Sequence, residues 1–179
     1  MSRPSGILWI AALLVLSALG CTQKELKTSS TTVMQLTSST FLNNGSIPSN
    51  YTCDGKDINP PLTLSDVPPS TQSLALIVDD PDAPGGDFVH WLVWNIPAAT
   101  TSIAEESVPA SAVEGMTGFG KTGWGGPCPP SGTHRYQFTL YALDGMLDLS
   151  AGATKAELLM AMSGHILEQT LLVGLYQRR

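Results

Sequence analysis

A chain of 179 residues is long enough for one domain with a sizeable core and too short for two ordinary ones. Its formal net charge of −6, with no clustered run of Lys or Arg, excludes a nucleic-acid partner, because phosphate backbones are held by grouped cations. With 42% hydrophobic and 13% charged residues the chain reads as globular, and its 17 glycines and 13 prolines leave little room for long helices.

Residues 1–20 read as a secretory signal peptide: Arg3, then an apolar run from Ile7 to Leu19, then Gly20 before Cys21. The alternative, a core or membrane helix, suffers because the run is shorter than the ~20 residues that span a bilayer and a Ser/Thr tract follows. The ALGC ending resembles a bacterial lipobox, with Ala18 where Leu is usual, and makes Cys21 the expected lipid anchor and amino terminus. Residues 21–40 are expected to be a polar tether without helical or strand period, and residues 41–179 the domain. Export would place Cys53 and Cys128 in an oxidising compartment, where an even pair reads as a disulfide, with two separate thiols as the alternative.

Four apolar segments bounded by Pro and Gly clusters are predicted strands: LTLSDV from Leu62, SLALIVDD from Ser73, HWLVWNIP from His90 and RYQFTLYAL from Arg135. SLALIVDD and HWLVWNIP are apolar on both alternating faces, so they should be central and covered on each side. The expected fold is a mainly β antiparallel sandwich with one or two short peripheral helices. One helix has start and stop signals. Thr154 and Glu157 form a capping box, Ala156, Leu158, Leu159 and Met162 a stripe, and Gly164 the end, with His165 beyond it at the helix C-terminus. Thr170 to Gln177 reads as a closing strand, in which Gly174 marks a bulge or a close backbone approach.

The segment Gly115–Thr122, GMTGFGKT, satisfies the P-loop pattern letter for letter. Its context does not. A phosphate cradle needs a buried strand before it and a helix after it, whereas EESVPASAVE precedes and GWGGPCPPSG follows. The dinucleotide fingerprint fails on the same ground, lacking a βαβ frame.

Other polar residues sit at the ends of apolar strands. Asp80 closes SLALIVDD and opens DPDAP, where Pro81 and Pro84 force a turn, with Asp82 between them. His90 begins a strand and by alternation shares a face with Leu92 and Trp94; His134 begins another and shares one with Tyr136 and Phe138. Singly, each reads as a satisfied structural residue, and the Gly/Pro loop as a surface connection. Together they read as one pocket, in which two imidazoles donate hydrogen bonds to a phosphate or carboxylate beside a stiff cup, while a nearby carboxylate favours their protonated form and fixes their orientation.

DPDAP followed by HWLVWNIP, and GKTGWGGPCPPSGTHRY, resemble the phosphatidylethanolamine-binding protein family, in its bacterial and archaeal Raf kinase inhibitor-like branch; YTCDG, INPPL and GHILEQTLLVGLYQR fit the same branch. The resemblance runs from Phe41 to Arg179. It implies a β-sandwich whose pocket binds anions, notably phosphate groups, through Asp80, Pro84, His90, Gly126, Pro127, His134 and Tyr136, with no cofactor and no metal. Asp82 and Arg135 are assigned to structure, as an ion pair bracing two loops. The chain departs from the eukaryotic members, which carry a gating C-terminal helix after the segment matching TLLVGLYQRR, so their kinase regulation does not transfer. Trp124 stands where Tyr is frequent.

Three functions follow as expectations. The first is non-catalytic capture of a small anionic, phosphate-containing ligand by an exported protein, periplasmic or at the cell surface, held to a membrane through Cys21. The second is inhibition of a kinase or protease by protein contact. The third is an enzyme or metal site built from Asp80, His90 and His134, against which stands the lack of a nucleophile in an elbow-like context.

Overall fold

The structure, a computed structural model, describes residues 1 and 32–178; the expected signal peptide and Cys21 lie outside the described residues. In chain order the elements are β1 (Gln35–Thr37), β2 (Gly45–Ser46), a 3-10 turn (Ser49–Tyr51), β3 (Leu62–Ser65), β4 (Ser73–Asp80) and β5 (Phe88–Pro97). They continue with β6 (Ser102–Ile103), β7 (Val113–Glu114), β8 (His134–Leu143), α1 (Lys155–Met162) and β9 (Ile166–Tyr176). They form a six-stranded sheet in the order β2-β9-β8-β4-β5-β7 and a three-stranded sheet in the order β1-β3-β6. Every pairing is antiparallel except that of β2 with β9.

The mainly β fold follows from β4, whose eight residues are all buried. On one face Leu74, Leu76 and Val78 pack with Trp91, Val93 and Phe138 against Leu36, Leu62, Leu64 and Ile103 of the smaller sheet. On the other, Ala75 and Ile77 join Leu92, Trp94, Leu158 and Met162, so this face is covered by α1. Each large apolar side chain withdrawn from water in this way stabilises the fold by about 2 kcal/mol.

Three sequence expectations shift. The tether ends early: Met34 and Leu36 are buried and β1 pairs with β3, so the folded domain takes in residues that were assigned to the spacer. A strand of three residues, followed by a Ser/Thr run, is too short to show a period. The helix has its capping box, with the Glu157 carboxylate accepting from Thr154 N at 2.8 Å. Its stripe is narrower than expected, however, since only Leu158 and Met162 are buried and Leu159 is exposed. The closing strand begins four residues sooner, at Ile166. Gly174 marks a close approach, because a Cβ there would stand 2.5 Å from the Ile47 side chain. His165 closes the helix through its backbone N–H to Met162 O, while its ring meets Asp144 Oδ1 at 2.8 Å.

β5 carries the feature that shapes the site. Val78 pairs with Trp91 and Asp79 with Val89, which leaves His90 as an extra residue. Such a bulge re-aims a side chain. His90 therefore does not share the face of Leu92 and Trp94; its ring lies 5.1 Å from that of Tyr136, on the side facing the smaller sheet.

Candidate functional site

Because β4 runs antiparallel to both β5 and β8, its last residue meets the first residues of its neighbours. Asp80, His90 and His134 thereby gather at one end of the larger sheet, around a cavity of about 290 Å³. All three are buried. Asp80 Oδ1 accepts from Asp82 N at 2.8 Å, and Oδ2 lies 2.7 Å from His134 Nδ1. His90 Nδ1 lies 2.6 Å from Gly125 O and donates to it, since a carbonyl only accepts. Burial pushes the His90 imidazole below its ordinary value, against the opposing pull of the Gly125 carbonyl and of Asp80 and Asp57. The Tyr136 hydroxyl is buried without a hydrogen-bond partner among the described residues. Burial, with Asp80 next in effect, holds its pKa far above the ordinary phenol value.

The walls are apolar. Pro84, Phe88, Phe119, Pro129 and Pro130 line the cavity, and the Phe88 and Phe119 rings meet edge-on at 4.9 Å. Phe119 stands on the turn that matches the P-loop pattern in letters alone: Thr117 N donates to Lys121 O at 2.9 Å and Gly120 N to Thr117 O at 3.0 Å. The next element after it is the strand β8, not a helix. The glycines there admit aromatic rings instead of phosphate, since a Cβ on Gly118 would lie 2.5 Å from the Phe88 ring and one on Gly125 2.3 Å from Phe119.

Of the residues expected to line the site, Asp80, Pro84, His90, His134 and Tyr136 do so. Gly126 and Pro127 are not among the lining residues. Gly126 N donates to Asp57 Oδ1 at 2.6 Å and Pro127 O accepts from Cys53 N at 3.2 Å, so they tie the wall to the loop around residues 52–57. Cys128, one residue further on, does line the cavity, and it is bridged to Cys53. Asp82 and Arg135 form a two-pronged ion pair at 2.6 and 2.9 Å, and Arg135 N adds a third bond at 2.9 Å to the same carboxylate. Those contacts hold the Asp82 carboxyl down at about 2 and fasten the DPDAP turn to β8.

Sequence reasoning missed Phe88, Phe119 and Asp87, which also line the cavity. A phenylalanine between two glycines, GFG, was the available signal for Phe119. Asp87 shares Lys155 Nζ with the buried Asp79, a link across 68 residues that no local pattern carries. Among the described residues no group of three or more His, Cys, Asp or Glu is placed to hold a metal ion.

A two-sheet β protein with a small, buried His/Asp cavity at the end of its larger sheet is the class that fold and site define. The chain belongs to the phosphatidylethanolamine-binding protein family, whose family model matches residues 37–177. It is 49% identical over 150 residues to a UPF0098 protein of Methanothermobacter thermautotrophicus, covering 81% of this chain and 99% of that one. A UPF0098 protein of Aquifex aeolicus is 45% identical over 153 residues, with 82% and 90% covered. Among solved structures, a Chlamydia trachomatis chain described as a homologue of this family superposes with a TM-score of 0.80 at 43% identity, covering 82% of this chain and 99% of that chain. Escherichia coli YbcL, described as a new member of the mammalian family, gives 0.78 at 30% identity, with 83% and 100% covered.

Proposed function

We propose that this protein is a non-catalytic binding protein for a small, phosphate-containing anion, exported and held at a membrane through a lipid on Cys21. The observation that supports the ligand reading is the convergence of Asp80, His90 and His134, distant in sequence, on one cavity with apolar walls. Such a cavity excludes water and leaves a few polar atoms to fix a guest, which is the usual make-up of a small-molecule site. Both Asp80 oxygens are already engaged in hydrogen bonds, which suits an orienting role better than one as a base.

Calorimetry with phosphoethanolamine tests the ligand. Saturable heat with the native chain, lost in a His90→Ala, His134→Ala double variant that still melts cooperatively, supports the reading. Equal heat from the two proteins counts against it. The anchor is tested separately by metabolic labelling with a palmitate analogue: incorporation that disappears in Cys21→Ser is expected, and no incorporation removes the anchor.

A further inference from the structure

An anion entering this cavity meets an electrostatic problem. Two carboxylates, Asp80 and Asp87, line it, and neither Lys nor Arg is among its lining residues. Nearby permanent cations are already engaged with acids: Arg135 with Asp82, and Lys155 with Asp79 and with Asp87 of the lining itself. Among the described residues that line the cavity, only His90 and His134 can bring positive charge to a guest. In each ring Nδ1 is already committed, to Gly125 O or to Asp80 Oδ2, so Nε2 is the polar atom left to offer. On a neutral ring with hydrogen at Nδ1, Nε2 is a lone pair, which accepts hydrogen bonds and repels an oxyanion. The Tyr136 hydroxyl adds one neutral donor.

We propose that the pocket binds its anion together with a proton, which either adds from solvent to Nε2 of His90 or His134 or arrives on the ligand's own oxygen and is donated to that lone pair. The inference rests on the anion reading above and narrows it to a ligand class: an oxyanion accompanied by a proton, not a bare dianion. The groups facing the two rings agree in sign. His90 sees Asp80 at the end of β4, Tyr136 on β8 and Asp57 behind the Gly126 wall, with uncharged Phe88 and Phe119 on its remaining sides. His134 sees Asp80 and Asp82, the latter already engaged with Arg135. At His90 in the empty site Asp80 and Asp57 favour an imidazolium and burial opposes it more strongly; an arriving anion adds to the carboxylates' effect. Binding then draws in a proton, and by linkage affinity falls as pH rises.

Sulfate and inorganic phosphate separate the two proton sources, because sulfate carries no proton near neutral pH while phosphate does. The full chain is titrated calorimetrically with each from about pH 5.5 to about pH 8.5, in two buffers of different ionisation enthalpy. Sulfate is expected to weaken about tenfold per pH unit at the alkaline end, with uptake of about one proton. Phosphate is expected to lose less, because it can supply the proton itself. Sulfate that fails to bind while phosphate binds without proton exchange also supports the inference, by the second route. Sulfate bound equally tightly across the range, with heats independent of buffer, overturns it and leaves the anion reading standing. No binding of either anion even at the acid end removes both.

Discussion

Asp79 and Asp80 are neighbours at the end of β4, 5% and 4% exposed, and they serve opposite faces of the same sheet. Asp79 meets a permanent cation, Lys155, on the first residue of α1. Asp80 meets His134, a partner whose charge depends on pH. A buried carboxylate with a fixed counter-ion is a fastening, which holds the helix to the sheet and leaves nothing to answer a ligand. One with a titratable partner at a cavity wall keeps a second state within reach. Two adjacent identical residues thus divide a structural tie from the proposed site, and the pleat decides which does which.

The contrast breaks most visibly where a partner is removed. Lys155→Met leaves Asp79 buried without its counter-ion, and the expected loss at neutral pH is about 2–4 kcal/mol in denaturant unfolding. Burial already raises the Asp79 pKa from its ordinary value, against the opposing pull of Lys155, and removing the lysine raises it further. A raised value in the folded state favours folding at low pH and stops doing so as pH rises through it. The deficit of the variant is therefore largest near neutrality and shrinks on acidification. A deficit independent of pH would mean that packing of the lysine stem, not charge, carries the effect.

On the other face the expected change is in binding. Asp80→Asn removes the negative charge beside the ring and keeps one of the two acceptors, its single amide oxygen serving either His134 Nδ1 or Asp82 N. Phosphate affinity should drop about tenfold, equivalent to about 1.4 kcal/mol, with a smaller change in stability. Unchanged affinity would place Asp80 with Asp79 as a fastening.

The smallest effect belongs to the exposed pair. Arg135→Ala should lower the melting temperature slightly at neutral pH while phosphate affinity stays as it was. Asp82 is held at about 2 in the fold, below its unfolded value of about 3.9, so its contribution is present above pH 4 and is lost as pH falls toward 2. The melting curves of variant and native protein should converge over that interval. Curves that stay parallel would assign the effect to something other than the ion pair.

What the sequence revealed follows from segment length. β4, β5 and β8 each run eight to ten residues and bury both faces or one, so their apolar content stood out. α1 was marked by its capping box. β1, β2, β6 and β7, at two or three residues each, are too short for any period and exist because longer strands offer them partners. The face of His90 was misread because a bulge changes the parity of a strand without changing its composition. Asp80 and His134 were placed together because both close or open strands that the sequence delimits. Gly126 and Pro127 were taken as the cup on the strength of their family motif, whereas the chain turns so that Cys128 and the two prolines after it form the surface. The link from Lys155 to Asp87 and Asp79 depends on where a helix docks, which no local pattern encodes.

A crystal of this protein grown in phosphate tests the central claim most directly. An oxyanion seated in the cavity, within hydrogen-bond distance of the His90 and His134 rings, is the expected result. Phosphate bound only elsewhere on the surface, with the cavity holding solvent at saturating concentration, would contradict it.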